Sequence, residues 1–281
     1  MEAKLNYSLK KQNSWQIPSI GDKVYLPTNI ADISNIIKLN KDFGLWLGLG
    51  SNVLLPERIK TPVILPQKKL NKIEQLGDYI IYAQAGVTCA KMAKKCIELG
   101  YEHSIFFGGI PGTIGGALNM NAGAFGSETW EHVNYVDVVD INGQIHRLTK
   151  DKFQISYRHT KQPFPLRYIG AAFKFKKGCK DTANLKLKEL IAKRNHTQPI
   201  GTFNCGSVFK NPYPQHAAQL IEACDLKGYT YQDAQVSKKH ANFIINIGNA
   251  TYDSILHVIR HVQSKVLKET NIELENEVII L

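Results

Sequence analysis

The sequence predicts a mixed α+β protein in two parts, with a boundary near residue 177. Strand and helix signals alternate up to Phe175, and a polar segment at 177–184 then opens a second, shorter series of helices and strands. The length of 281 residues suits about two domains at ~150 residues each. The 43 % hydrophobic content is that of a globular protein with a real core.

The first part begins with a helical repeat of isoleucines between Ile30 and Ile37, preceded by Thr28. A short buried strand at 45–47 leads into a glycine loop at 48–52, and β-rich runs follow at 63–65 and 79–82. Thr88 is then a good N-cap for a helix that ends at Gly100. Its core-facing residues are Cys89, Met92, Ala93, Cys96 and Ile97.

The remaining elements follow from the same patterns. Asn142-Gly143 marks a tight hairpin after the strand around 133–138, and a last strand of the first part runs from 168 to 175. The second part is predicted as a small α/β domain. Its elements are a helix near 183–195, a strand at 206–210, a helix at 215–224, a strand at 242–247, a helix at 253–268 and a strand at 277–281.

Charge and cysteine content narrow the function classes. The chain has 35 Lys and Arg against 24 Asp and Glu, a net charge of +11 that is spread without a basic tail, and this favours anionic small molecules over nucleic acid as partners. The N-terminus lacks an apolar signal region, and no apolar run approaches the ~18 residues of a membrane span. Five cysteines without a C-x-x-C pair indicate a reducing compartment, so we expect a cytoplasmic protein.

Two glycine segments are the strongest candidates for binding a ligand. Residues 48–52 follow a strand, and residues 108–126 contain more glycine than a helix or strand requires. Glycine lets backbone N–H groups approach a phosphate, so the pair could hold a pyrophosphate. Neither segment is the G-x-G-x-x-G of a Rossmann fold or the G-x-x-x-x-G-K-[ST] of a P-loop.

Several polar residues are candidates for chemistry, each with an ordinary structural alternative. Arg158 beside Tyr157 could grip a carboxylate or form a surface ion pair. Ser207 after Gly206 could donate a proton or cap a turn. Glu273, Glu275 and Glu277 alternate along the predicted last strand and would share one face. Cys205 has no paired base. His257 and His261 lie one helical turn apart without a third ligand, so no metal site is predicted.

Seven segments, in order, resemble the UDP-N-acetylenolpyruvoylglucosamine reductase family. They lie between residues 47 and 278, and seven such segments in the family's order are very specific. They are Leu47–Leu55 (LGLGSNVLL), Gly109–Ala117 (GIPGTIGGA), Met120–Gly126 (MNAGAFG), Tyr157–His159 (YRH), Gly206–Pro212 (GSVFKNP), Val236–Phe243 (VSKKHANF) and Leu274–Val278 (LENEV).

The resemblance implies an FAD-binding domain of the vanillyl-alcohol-oxidase type over residues 1–176, in lobes of about 1–57 and 58–176. A substrate-binding domain at 177–281 would follow, its last strand returning a glutamate to the flavin. The family's catalytic arginine, serine proton donor and glutamate fall on Arg158, Ser207 and Glu277. Substrate contacts would fall on Tyr157, Arg194, Lys210, Asn211 and His240. Noncovalent FAD would be held by Gly48, Leu49, Gly50, Ser51, Asn52, Val53, Gly109, Ile110, Pro111, Gly112, Thr113, Gly115, Gly116, Asn121, Ala122 and Gly123.

The implied reaction is reduction of the enolpyruvyl ether of UDP-N-acetylglucosamine enolpyruvate by NADPH in peptidoglycan precursor synthesis, by a monomer. The chain departs from the family at Thr197, where a phosphate-contacting lysine is common, and it lacks the insertion carrying a substrate-capping tyrosine loop. The alternative is another FAD-dependent oxidoreductase on the same fold, because the glycine segments specify the cofactor and not the substrate. A covalent flavin would need a tether, for which His103 is the local candidate.

Overall fold

The computed structural model describes residues 2–281, which divide into two compact units built from separate stretches of chain. The first unit comprises residues up to Asn6, Asp22–Leu49 and Lys60–Ile191. The second comprises Tyr7–Gly21, Gly50–Ile59 and Ala192–Leu281. In this division, two early stretches pack with a C-terminal stretch that begins at Ala192, whereas the sequence predicts one boundary at 176/177.

Six α-helices carry most of the helical structure. They are α1 (Ile30–Asn40), α2 (Cys89–Glu98), α3 (Ile114–Met120), α4 (Lys180–Thr197), α5 (Ala217–Ala223) and α6 (Tyr252–Thr270). Short 3-10 segments lie at Lys10–Gln12, Pro66–Lys68, Ser104–Gly109, Thr129–Glu131 and Lys150–Lys152.

The strands are mostly short. In the first half of the chain they are β1 (Glu2–Ser8), β2 (Ile20–Leu26), β3 (Leu45–Trp46), β4 (Val53–Leu54), β5 (Arg58–Ile59), β6 (Val63–Ile64), β7 (Ile73–Gly77), β8 (Ile80–Gln84), β9 (Tyr101–Glu102), β10 (Gly123–Ala124), β11 (Ser127–Glu128) and β12 (Val133–Asp140). The rest are β13 (Ile145–Thr149), β14 (Gln154–Ser156), β15 (His159–Lys161), β16 (Leu166–Lys174), β17 (Lys176–Lys177), β18 (Phe203–Asn204), β19 (Thr230–Tyr231), β20 (Ala234–Val236), β21 (Ile244–Asn246) and β22 (Ile279–Ile280).

The first unit is centred on an antiparallel sheet of order β13-β12-β16-β8-β7. The apolar face of α2 and the aromatic side chains of Phe107, Trp130 and Phe173 belong to its main core cluster. Parallel strands β2, β6 and β3 form a second sheet, in which Val63 pairs with both Val24 and Leu45. Helix α1 connects β2 to β3. The connection is long enough for the crossover that a βαβ unit with parallel strands requires.

The second unit contains an antiparallel sheet of order β18-β21-β20-β19, with α5 and α6 contributing to the same core. Trp15 is completely buried in this core, although it lies far away in the sequence. Its indole Nε1 donates to the carbonyl of Ile244 at 2.8 Å, and the amide of Asn246 donates to the carbonyl of Trp15 at 2.8 Å. These bonds explain why residues 7–21 belong to the C-terminal unit.

Most elements predicted from local pattern are confirmed. Thr88 caps α2 by accepting from the N–H of Lys91, and Gly100 has φ +69°. The five residues predicted to face the core of α2 are all buried. Helix α1 is capped by Asn29, whose side chain accepts from the N–H of Asp32, while the N–H and hydroxyl of Thr28 donate to the Asp32 carboxylate.

One predicted strand of the second part is wrong, and another is shorter than predicted. Residues 206–210 are not a strand, since β18 covers only Phe203–Asn204. The strand predicted at 277–281 is present as β22 (Ile279–Ile280), but Glu273, Glu275 and Glu277 lie outside it. In these places the chain makes isolated contacts, such as the bridge between Phe209 and Asn276, that do not build a ladder. Alternation along a sequence therefore does not show whether a stretch pairs with a neighbouring strand.

Candidate active site

The first glycine loop presents a run of unpaired backbone donors. Among residues 2–281, nothing accepts a hydrogen bond from the N–H groups of residues 48–51. Gly50 is buried within this run. A buried N–H group without a partner is unfavourable, so the loop is suited to an anionic ligand with several oxygen acceptors.

Glycine is required at two positions of this loop for different reasons. Gly50 has φ +62°, and a Cβ there would run into the backbone of Gln12. Gly48 lies against the second glycine segment, where a Cβ would come within 2.6 Å of the Thr113 hydroxyl. The structure therefore brings Gly48 next to Thr113, as expected if the two segments serve one ligand.

The second glycine segment wraps into the start of α3. Thr113 is the N-cap residue, and its side chain accepts from the N–H of Gly116. The N–H groups of Ile114 and Gly115 donate to Val87 and Ala85 at 2.8 Å each. The N–H groups of Gly115 and Gly116 already donate within the protein. The cofactor contacts predicted for these glycines would therefore come from the absence of a side chain, which lets a ligand approach the backbone closely.

The other residues of the second segment that are predicted to contact the cofactor precede and follow this helix. Ile110 and Gly112 form a tight turn in which the Gly112 N–H donates to the Ile110 carbonyl at 2.9 Å. At the far end, Asn121 ends α3 with φ +44°. Helix α3 thus lies between the two groups of predicted cofactor residues. They are Gly109, Ile110, Pro111, Gly112 and Thr113 before it, and Asn121, Ala122 and Gly123 after it.

Arg158 sits at the tip of a two-residue turn joining β14 to β15, with φ +53°. Its guanidinium lies 3.5 Å from Glu128 Oε1, donates to the carbonyl of Gly123 at 3.3 Å, and lies over the Tyr157 ring at 4.8 Å. The side chain is only 18 % exposed. A long side chain held in this way keeps a defined direction, which suits recognition of a substrate carboxylate.

Ser207 and Glu277 lie on neighbouring stretches of backbone in the second unit. The N–H of Glu277 donates to the carbonyl of Val208, the residue after Ser207, at 2.8 Å. The Asn52 side chain donates to the Glu277 carbonyl at 2.9 Å, which connects this stretch to the end of the first glycine loop. The segments that carry Ser207 and Glu277 are therefore joined by a backbone hydrogen bond, although neither residue lies in a strand.

The predicted substrate contacts differ in how much of each side chain is already used. Lys210 pairs with Glu275 at 3.0 Å, and Asn211 accepts from the N–H of Ala217 at the start of α5. Arg194 donates to Gln198 at 2.7 Å, and burial lowers its pKa. His240 accepts from the N–H of Asn242 through Nδ1, and burial lowers its pKa, which favours the neutral ring at pH 7.

Cys205 is buried, and burial raises its pKa to about 12. Its thiol donates to the carbonyls of Gly50 and Val53 at 3.6 Å. A thiol with this pKa is a poor nucleophile at neutral pH, so the residue stabilises the loop instead.

Across residues 2–281 no cluster of three or more His, Cys, Asp or Glu side chains could hold a metal ion. No helix in the same range has the length and apolar character to cross a bilayer.

Comparison with known proteins decides the family. Residues 22–149 match the model of an FAD binding domain, and residues 198–281 match that of the UDP-N-acetylenolpyruvoylglucosamine reductase C-terminal domain. The reductase of Coxiella burnetii is 41 % identical over 98 % of this chain and 94 % of its own length. This chain belongs to the UDP-N-acetylenolpyruvoylglucosamine reductase family.

Other members of the reductase family agree. The protein of Alkalilimnicola ehrlichii is 41 % identical over 97 % of this chain and 92 % of its own. The crystal structure of the reductase from Thermus caldophilus superimposes with a TM-score of 0.84 at 25 % identity, over 99 % of this chain and 98 % of that one. The predicted fold class, an α+β FAD-binding domain followed by a C-terminal domain, is confirmed.

The glycine segments of this reductase fit FAD. A pyrophosphate carries several acceptor oxygens. Residues 48–51 offer consecutive N–H groups that donate to no acceptor among residues 2–281. Gly50 reaches its left-handed conformation because it has no side chain, and Gly48 permits the contact with Thr113.

Sequence reasoning missed the side chains that hold the reductase's candidate residues in place. Asn52 bonds to Glu277, and Glu128 lies against Arg158. Asn242 bonds twice to Phe209, accepting from its N–H at 2.9 Å and donating to its carbonyl at 2.8 Å, next to Ser207. Asn52 and Asn242 stand in the motifs that suggested the family, but local pattern cannot show what an amide side chain contacts.

Proposed function

We propose that this chain reduces the enolpyruvyl ether of UDP-N-acetylglucosamine enolpyruvate to the corresponding lactyl ether, with NADPH as the reductant and FAD as the intermediary. The observation that carries the proposal is 41 % identity to reductases of this name over 98 % of the chain. Both the FAD-binding segment and the C-terminal domain lie within that length. When bound, FAD accepts a hydride from NADPH and delivers it to C3 of the enolpyruvyl group.

Arg158 would bind the substrate carboxylate and stabilise the negative charge that spreads onto it when hydride adds at C3. A guanidinium suits this task because it stays charged and presents a planar set of donors. Its contacts with Glu128 and Gly123 fix its direction before substrate arrives. Removing one such fixed donor from a developing anion typically costs about 3 kcal/mol of barrier.

Ser207 would complete the reduction by donating a proton to C2. The turn that carries it is held on both sides, since the Gly206 N–H donates to Asn204 and the Val208 N–H to the carbonyl of Asn242. Glu277, whose N–H bonds to Val208, would help stabilise the same carbanion-like substrate with its carboxyl group protonated, as a hydrogen-bond donor. Hydride and proton together supply the two electrons and two hydrogen atoms that the double bond gains.

The binding of the rest of the substrate would fall to Tyr157, Arg194, Lys210, Asn211 and His240. Of these, Arg194 and Lys210 are the cations available for the diphosphate. Lys210 would exchange its partner Glu275 for phosphate oxygens, a small loss because an exposed ion pair contributes little. Thr197 donates to the carbonyl of Lys193 within α4, so it does not replace the phosphate-contacting lysine.

We also propose that the protein acts as a monomer in the cytoplasm, without nucleic acid or membrane partners. The free thiols of all five cysteines agree with a reducing compartment.

An anaerobic visible spectrum tests the function directly. The purified protein should show a flavin band that bleaches on addition of NADPH and returns on addition of UDP-N-acetylglucosamine enolpyruvate. Bleaching without return would identify a flavoprotein with another acceptor, the alternative function. A protein that cannot be loaded with FAD would refute the proposal.

A further inference from the structure

We propose that Glu128 is a positioning residue, which holds the guanidinium of Arg158 in the direction that carboxylate recognition requires. The inference rests on the function proposed above and concerns a side chain outside the candidate set. Its evidence is a chain of contacts that runs from α3 through Glu128 to Arg158, entirely within the first unit.

Arg158 needs external support because of where it lies. The turn between Ser156 and His159 contains two residues, and Arg158 is the second of them, in a left-handed conformation that arginine rarely adopts. Such outliers persist where the surroundings determine them, and they are concentrated at functional sites. A long side chain on the tip of a hairpin would otherwise sample many rotamers.

Glu128 is itself fixed, so it can act as a reference point. Its Oε2 accepts from the Asn121 side chain at 2.7 Å, while Oε1 faces Arg158 at 3.5 Å. The same Asn121 amide nitrogen donates to the carbonyl of Ser156 at 3.1 Å, and its oxygen accepts from the N–H of Trp130 at 3.2 Å. Asn121 therefore ties both the carboxylate and the strand before Arg158 to the end of α3.

The charge and geometry explain why a carboxylate is useful there. Glu128 Oε1 and the carbonyl of Gly123 contact the two terminal nitrogens of the guanidinium. A guanidinium carries its five N–H donors in a rigid plane, so fixing these two nitrogens fixes the direction of the whole group. Anchoring it in advance removes the need to order it when substrate binds, which is the basis of preorganised stabilisation.

A nearby glutamate provides a matched control. Glu131 lies three residues from Glu128 and accepts from the Ser127 hydroxyl at 2.5 Å and from the N–H of Glu128 at 3.2 Å. It makes no contact with Arg158. A change at Glu131 should therefore disturb the same 3-10 segment, Thr129–Glu131, without releasing the guanidinium.

The first test measures the mobility of the Arg158 guanidinium by NMR, with its signals assigned by their loss in Arg158→Lys. In the wild type and in Glu131→Gln, rotation about the Nε–Cζ bond should be slow. Glu128→Ala should accelerate it at least tenfold, and Glu128→Gln, which keeps an acceptor, should lie between. Equal mobility in wild type and Glu128→Ala would overturn the inference without reference to activity.

The second test follows the two half-reactions in the FAD-loaded protein by stopped flow. Glu128→Ala should leave flavin reduction by NADPH within about twofold, while reoxidation by the enolpyruvyl substrate slows 10- to 100-fold and Glu131→Gln has little effect. In an Arg158→Ala background, Glu128→Ala should add nothing. An equal additional loss in that background would mean a general structural role and overturn the inference. A wild type that is never reoxidised would refute the proposed function, whereas the NMR result would still decide the role of Glu128.

Discussion

The side-chain amide of Asn52 donates a hydrogen bond of 2.9 Å to the backbone carbonyl of Glu277. The Asn52 carbonyl in turn accepts from the N–H of Ile279, and β4 and β22 pair in parallel directly beyond. The last residue of the first glycine loop thus fixes the backbone that carries the candidate glutamate. The end of a candidate cofactor loop and a candidate catalytic segment are therefore parts of one hydrogen-bonded structure in the second unit.

Replacing Asn52 by alanine should therefore affect the reaction more than the fold. The lost hydrogen bond is worth about 1 kcal/mol of stability, while a shift of Glu277 should lower the rate of substrate-dependent flavin reoxidation about tenfold. Thermal unfolding and stopped-flow kinetics measure the two effects separately. Asn249→Ala, at an exposed asparagine of the same unit, is the control. Unchanged kinetics in Asn52→Ala would show that this bond does not position Glu277.

Replacing Ser207 by alanine should separate the two half-reactions. NADPH should still bleach the flavin, because no proton from Ser207 is needed for that step, and reoxidation by the enolpyruvyl substrate should fall by at least 100-fold. Rapid mixing with each partner in turn gives both rates. Ser264→Ala on the exposed face of α6 should behave as wild type. Normal turnover in Ser207→Ala would remove Ser207 from the mechanism.

Replacing Gly50 by alanine should destabilise the protein strongly. The residue has φ +62°, and the new Cβ would meet the backbone of Gln12, which cannot move as a flexible side chain could. We expect a loss of more than about 2 kcal/mol of unfolding free energy together with weaker FAD binding. Gly126→Ala is the matched control, because Gly126 has φ +84° but nothing within 4 Å of a Cβ. Its loss should be about 1 kcal/mol. Equal losses in denaturant titrations of the two variants would contradict the steric argument.

The stability of the protein should fall as the pH drops from 7 towards 5. His132 is stacked between Phe106 and Phe175, and burial lowers its pKa. Above the unfolded pKa of about 6.5, this histidine is neutral in both states and does not change the free energy of unfolding. Below that pH the unfolded chain binds a proton more readily than the folded protein, so protonation favours unfolding. The midpoint of thermal unfolding should decline in that window and decline less steeply in His132→Gln. A parallel decline in both proteins would assign the effect to other groups, His240 first.

The sequence predicted local structure well and the supporting contacts poorly. Helix α2 has its cap, its end and its buried face in the sequence pattern, because all three depend on neighbouring residues. The bonds from Trp15 to Ile244 and from Asn52 to Glu277 join residues more than 200 positions apart, and no periodicity records them. The same limit applies to the division into units.

Residue type and spacing raised Arg158, Ser207 and three glutamates as candidates, but only the family motifs favoured these functional roles over the structural alternatives and selected Glu277 among the glutamates. Alternation placed Glu273, Glu275 and Glu277 on one face of a strand, yet that stretch is not a strand, and Glu275 pairs with Lys210 while the Glu277 backbone bonds to Val208. Burial and hydrogen bonding distinguish these carboxylates only once distant segments are in place.

The division of the second unit among three stretches of chain has a consequence for protein synthesis. Residues 7–21 and 50–59 leave the ribosome long before residues 192–281, which complete their core. At ~5–20 residues per second, the wait is roughly ten to forty seconds. During that time Trp15 and Leu54, which are fully buried in the finished fold, have no C-terminal partners. Newly made chains are therefore most vulnerable to aggregation before their final third emerges, and slowing translation in that third should lower the yield of folded enzyme.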